Sequence, residues 1–89
     1  MKTFEFLAIK KEKKIYVAQY VHHPFCSDYK YFTTSEARQQ WADETRDPAN
    51  GVYVHFEGAR TVNAQKLWDL YDTGAFVEDW QTVRDWFTK

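Results

Sequence analysis

Cysteine, proline and glycine are all scarce in this 89-residue chain, which holds one Cys, two Pro and three Gly. A lone Cys26 excludes an internal disulfide, so the fold must hold by packing and hydrogen bonding. The glycines, at 51, 58 and 74, fall at turn positions and build no phosphate-cradling loop, which argues against nucleotide hydrolysis. Long apolar runs are missing too. Nothing approaches the roughly 20 apolar residues that cross a bilayer, and Glu5 breaks the stretch where a secretory signal needs uninterrupted apolar residues. The chain is therefore expected to be cytoplasmic, in a reducing setting, with no membrane partner. Its formal charge of −1 gives no global attraction to nucleic acid or anionic lipid.

Aliphatic side chains are the last shortage. Ile, Leu and Val together number twelve, against seventeen Phe, Tyr and Trp, so aromatic rings are the main hydrophobic material. Each ring can bury roughly 150–250 Å², whereas a domain this short hides only about 60–65% of the surface its unfolded chain exposes. Surplus ring area is thus expected at the surface, available to grip another macromolecule. With 44% hydrophobic and 28% charged residues the composition is that of a globular protein, and residues 1–89 read as a single domain around one core. Charge is uneven along it: residues 1–30 carry +3, and residues 31–60 and 61–89 carry −2 each. A solvated basic turn and acidic helix starts give that pattern.

Residues 3–10 and 14–22 are rich in aromatic and β-branched types and predict an antiparallel hairpin turning at Lys11-Glu12-Lys13. Both faces of the second strand are apolar, Ile15, Val17 and Val21 opposing Tyr16, Ala18 and Tyr20. A hairpin with one wet side alternates apolar with polar, so this sheet is either covered on both sides or offers rings to a ligand on one. After an interruption at 22–28, residues 29–32 supply a short third strand. Thr33 or Thr34 is an N-cap, Glu36 fits a capping box with Thr33, and Ala37 and Trp41 share one face of a helix reaching about Thr45. Asp47-Pro48-Ala49-Asn50-Gly51 ends that helix. Val52, Val54 and Phe56 then alternate with Tyr53, His55 and Glu57 as another strand.

Beyond Gly58 the period becomes helical. Ala64, Leu67, Trp68 and Tyr71 form one apolar stripe, Gly74 stands where a helix end accepts positive φ, and Phe76, Trp80, Val83 and Phe87 repeat the spacing in a last helix. Glu78 and Asp79 lie at the positive end of that helix dipole, and Leu70 and Trp86 fall off the stripes. The whole predicts an α+β fold: an antiparallel sheet of three or four strands with a central helix and a C-terminal helical hairpin.

Chemistry-bearing clusters are few. His22, His23, Cys26 and Asp28 lie within seven residues, yet a structural zinc site needs four ligands, usually as two spaced pairs, and only one cluster exists. A Cys26–His nucleophilic pair lacks a third orienting group and an oxyanion hole. The acids of the C-terminal half spread along helix faces, with no enclosed pair for general acid and base. The chain is expected to be no enzyme and to take no cofactor or metal.

Binding is the remaining class. Tyr16, Tyr20, Tyr53 and Trp86 are the expected anchors for a protein partner, because Tyr and Trp bring large, rigid area with a polar edge. Self-association into a homodimer would hide the same surface. The alternative is single-stranded nucleic acid, with bases stacked on sheet aromatics and phosphates on Lys10, Lys11, Lys13 and Lys14; the near-neutral charge disfavours it. The strand start Lys2-Thr3-Phe4-Glu5-Phe6, the step from Tyr31-Phe32-Thr33-Thr34 into Ser35-Glu36-Ala37-Arg38-Gln39-Gln40-Trp41, and the aromatic-rich remainder resemble small bacteriophage accessory proteins, including anti-CRISPR proteins and other inhibitors of host defence. That resemblance implies a stoichiometric inhibitor in the bacterial cytoplasm that occludes a host protein or ribonucleoprotein. It transfers no functional residue, and the weak charge departs from the acidic DNA mimics among such inhibitors.

Overall fold

The computed structural model describes residues 2–22 and 26–89. Its centre is β1 (Glu12–His22), which pairs antiparallel with β2 (Cys26–Phe32) on one side and β3 (Val52–Asn63) on the other, in the order β2-β1-β3. Alternation along β1 serves two cores. Ile15 and Val17 are fully buried with Tyr31 of β2 and Val62 of β3 on one face, while Ala18 is buried with Phe32 and Val54 on the other. The first face is covered by α1 (Thr3–Leu7), α3 (Ala64–Asp72) and α4 (Trp80–Thr88), through Phe6, Leu67, Val83 and Phe87. The second is covered by the central helix α2 (Ser35–Thr45), through Ala42, Ala37 and Trp41. The fold is α+β, 45 × 23 × 19 Å in extent, and no helix among the described residues is long and apolar enough to cross a membrane.

The starts of α2, α3 and α4 each follow from a capping side chain in the sequence. Thr34 caps α2 by accepting from the Ala37 N–H, Asn63 caps α3 by accepting from Lys66, and Asp79 caps α4 by accepting from Thr82. Gly74 takes φ +80° just past α3, as its position required. The chain then runs beside β2, where Ala75 accepts the Tyr31 N–H at 2.9 Å and Phe76 bridges Tyr31 in parallel. Trp80 meets Trp68 and Tyr71 at 5.0 Å between ring centroids, so α3 and α4 touch through rings.

Several expectations are corrected. Residues 3–7 are helical, and no 3–10 strand pairs with 14–22; Glu12 and Lys13, expected in a turn, open β1. Five residues of alternating pattern are too few to separate the two periods, and packing decided. Phe6 is fully buried in a ring cluster 4.9 Å from Trp80 and 5.3 Å from Phe87, and Lys2 N–H reaches the Glu5 carboxylate to close the first turn. β2 begins at Cys26, three residues before the expected start, while residues 23–25 of the expected interruption lie outside the described residues. β3 continues through Gly58 to Asn63 instead of yielding to helix. Between Tyr16 and Ala18 of β1 the register with β3 shifts, and Gly58 sits in that bulge at φ +84°, a conformation suited to a residue without Cβ. Phe76 precedes α4 and is not part of its stripe.

Candidate functional site

The bulge keeps the two faces of the sheet in phase along its whole length, so the face that carries Ile15 and Val17 continues through Gln19 and Val21. Across it, Gln19 pairs with Tyr29 and His55, and Val21 pairs with Ser27 and Tyr53. These six side chains form two rows beyond the helices. Tyr29 is 43% and Tyr53 41% exposed, while Ile15 and Val17, one and two alternations away, are fully buried. Strand spacing and rise put the two tyrosines about 12 Å apart on the backbone, at diagonal corners of the patch. Each has an apolar ring and a phenolic donor, the combination over-represented where proteins grip one another.

Of the expected anchors, only Tyr53 lies on this patch. Tyr16 and Tyr20 point to the opposite face and are half-buried under α2, Tyr20 with its ring 6.4 Å from Trp41 and Tyr16 with the Arg38 guanidinium 5.2 Å away. Trp86 is half-buried at the far end, with Lys13 Nζ 4.9 Å from its ring and bonded to its carbonyl at 2.5 Å. Tyr29 was missed because its strand was read as starting at Tyr29 itself. Extending the alternation back from buried Tyr31 to Ser27 is the signal that places Tyr29 on this face.

The lysines expected to meet phosphates lie elsewhere. Lys13 and Val21 are eight residues apart on β1, about 26 Å, and two of the four lysines are already engaged: Lys11 Nζ bonds the Lys89 carbonyl at 3.0 Å and Lys13 bonds Trp86. Burial first, then the charges of Lys11 and Lys89, push the Lys13 ammonium below its ordinary 10.5. A cleft of about 610 Å³ opens beside it, lined by Thr33, Glu78, Asp85 and Trp86. There Glu78 spends both carboxylate oxygens on the Thr33 N–H and hydroxyl, each at 2.7 Å, tying the end of β2 to the start of α4. Its polar groups are thus occupied in holding the fold.

His22 and Cys26 are antiparallel partners, and Asp28 pairs with Lys30 at 3.4 Å. His23 lies outside the described residues. Among the described residues no group of three or more His, Cys, Asp and Glu is placed to hold a metal ion. No family model, no curated protein and no solved structure matches the chain.

Proposed function

We propose that the chain is a small non-enzymatic binding protein that captures a partner protein on the bare half of its sheet and acts by occluding the surface it covers. The observation that carries this reading is the pair Tyr29 and Tyr53, held half-exposed on a rigid sheet whose other end is buried on both faces. Rings on a sheet lose little conformational freedom when they dock, which favours tight contact over a small area. A protein is favoured over single-stranded nucleic acid because Tyr29 and Tyr53 and the lysine cluster stand at opposite ends of β1, whereas a nucleic-acid groove needs rings and cations along one track. The resemblance of the chain to phage accessory proteins makes a bacterial defence enzyme or ribonucleoprotein the partner class of this proposal, and the bacterial cytoplasm its setting.

The test is capture from nuclease-treated bacterial lysate by the wild type and by Tyr29→Ser/Tyr53→Ser. Two anchor rings at about 2 kcal/mol each amount to a loss of roughly a thousandfold in affinity, while exposed positions shift stability by only about 0.5 kcal/mol apiece. Equal capture by both proteins, with matching melting temperatures, would remove this face from the proposal. Retention of RNA or DNA alone, lost on nuclease treatment, would transfer it to the nucleic-acid reading.

A further inference from the structure

The two outer strands treat their free edges differently. On β2 the Tyr31 N–H is taken by Ala75 and the Tyr29 N–H by the Asp28 carboxylate, both at 2.9 Å, and Lys30 stands beside Asp28 as a charged guard. On β3 Val52 exchanges both its backbone hydrogen bonds with Asp47, each 3.0 Å, and the Gly58 carbonyl accepts from Arg38. Val52 therefore turns its polar groups away from β1, and antiparallel alternation turns those of Val54 and Phe56 the same way. Among the described residues no hydrogen bond reaches those outward groups. The stretch Val-Tyr-Val-His-Phe at 52–56 carries no Lys, Pro or acid, and its residue types favour strand. Phe56 is 42% exposed beside it.

We propose that this edge pairs with the same edge of a second copy of the chain, antiparallel, about a twofold axis through His55. In that register Val54 of each copy exchanges both hydrogen bonds with Phe56 of the other, His55 faces its own counterpart, and Tyr53 faces Glu57. Neighbouring registers fail on the structure. An axis through Val54 sets Phe56 against Val52, whose outward groups Asp47 already holds; an axis through Phe56 sets Val54 against Gly58, whose carbonyl accepts from Arg38 at 3.0 Å. The remaining free stretch, where Ala59 and Thr61 turn outward, would centre on Arg60 and oppose two guanidiniums. In the His55 register no acid faces an acid and no Lys or Arg faces another, Phe56 is covered by Val54 of the second copy, and the bulge at Glu57–Gly58 bends each strand away before it meets Asp47. The product is one six-stranded sheet that leaves Tyr29 of both copies uncovered and sets Tyr53 beside the seam with its ring face open, so it is compatible with the partner reading above without depending on it.

Cysteine cross-linking in the full chain reads the register directly, with Cys26→Ser removing the native thiol. His55 opposes itself in a non-hydrogen-bonded pair, about 4.5 Å between Cα atoms, inside the roughly 4.4–6.8 Å span of a disulfide. His55→Cys should therefore give mostly covalent dimer under mild oxidation. Tyr53→Cys should not, because four residues of offset put position 53 about 13 Å from its counterpart. Sedimentation of uncross-linked protein supplies the second readout: His55→Asp, which opposes two carboxylates, should weaken association about fivefold, and Tyr53→Lys, which meets Glu57, should not weaken it. A wild type that stays monomeric up to about 1 mM, or equal cross-linking at positions 53 and 55, overturns the proposal.

Discussion

β1 runs through two environments that differ only in what lies over one face. At Ile15 and Val17 it is roofed by α1, α3 and α4 and floored by α2's side of the molecule, and both side chains are fully buried. At Gln19 and Val21 the floor continues, with Trp41 of α2 near Tyr20, but among the described residues Val21 packs into neither apolar cluster. The chain thus concentrates its buried rings at one end and leaves Tyr29 and Tyr53 exposed at the other, with Phe4 of α1, 68% exposed, the ring left open on the outside of the roof. A protein with few aliphatic residues can do this because one ring in a cluster replaces several methyl groups: Phe6, Trp80, Trp68 and Phe87 form a continuous set of edge and tilted contacts over the roofed half. Stability and recognition are then separable by position along a single strand.

The largest expected effect lies at the centre of the roof. Phe6→Ala removes a fully buried ring that touches both Trp80 and Phe87, and should cost about 3–5 kcal/mol in urea denaturation, much of the margin of a domain this size. The comparison breaks if the cost is under about 1 kcal/mol, because α1 would then be a passenger on the sheet. Against that, Tyr29→Ser and Tyr53→Ser in the bare half should leave the denaturation midpoint nearly unchanged.

The join between the halves gives the next effect. Arg38 of α2 sends its Nη1 to the carbonyls of Val17 and Gly58, at 3.2 and 3.0 Å, across the bulge, and its guanidinium lies 4.1 Å from the Phe56 ring. Arg38→Met keeps stem and volume but takes a charged donor from the carbonyl of fully buried Val17, for about 1–3 kcal/mol. Hydrogen exchange should quicken at 54–59 and stay slow at 13–15, showing that the halves open separately. Uniform quickening would make the sheet one cooperative unit.

How far the sequence reveals this divides along the same line. α2 was legible from its cap at Thr34 and α3 from the apolar stripe Ala64, Leu67, Trp68 and Tyr71, whereas the cap at Asn63 shows only in the structure. β1 was legible from its aromatic and β-branched residue types, and the start of β3 from alternation. Residues 3–7 were not, because Phe4 and Phe6 fit a strand locally, and only the pocket between Trp80 and Phe87 selects helix. Tyr53 was singled out and lies on the bare face, whereas Tyr16 and Tyr20 lie under α2. Alternation says which residues share a face but not which face a distant helix will cover, and α2's position depends on Arg38 reaching a bulge that one glycine in the sequence only hints at.

The smallest effect tests whether the roof can be loosened without touching the bare half. Asp79 caps α4, its carboxylate accepting from the Thr82 N–H at 2.8 Å, and hydrogen bonding from the Thr82 side chain first, then from its backbone, holds it below its ordinary 3.8. A carboxyl lowered in the folded state contributes stability that is present above its unfolded value and lost as the pH falls through the folded one. Asp79→Asn keeps a capping oxygen but no charge, so wild type should exceed it slightly at pH 7 and the two should converge as the pH drops below 3.8. The readout is the difference in urea midpoint across that range, with amide exchange localised to residues 80–88. A pH-independent difference would mean that the charge on the helix end contributes nothing. Exchange that also quickens around Tyr29 and Tyr53 would mean that the bare half depends on the roof after all, and the division along β1 would have to be redrawn.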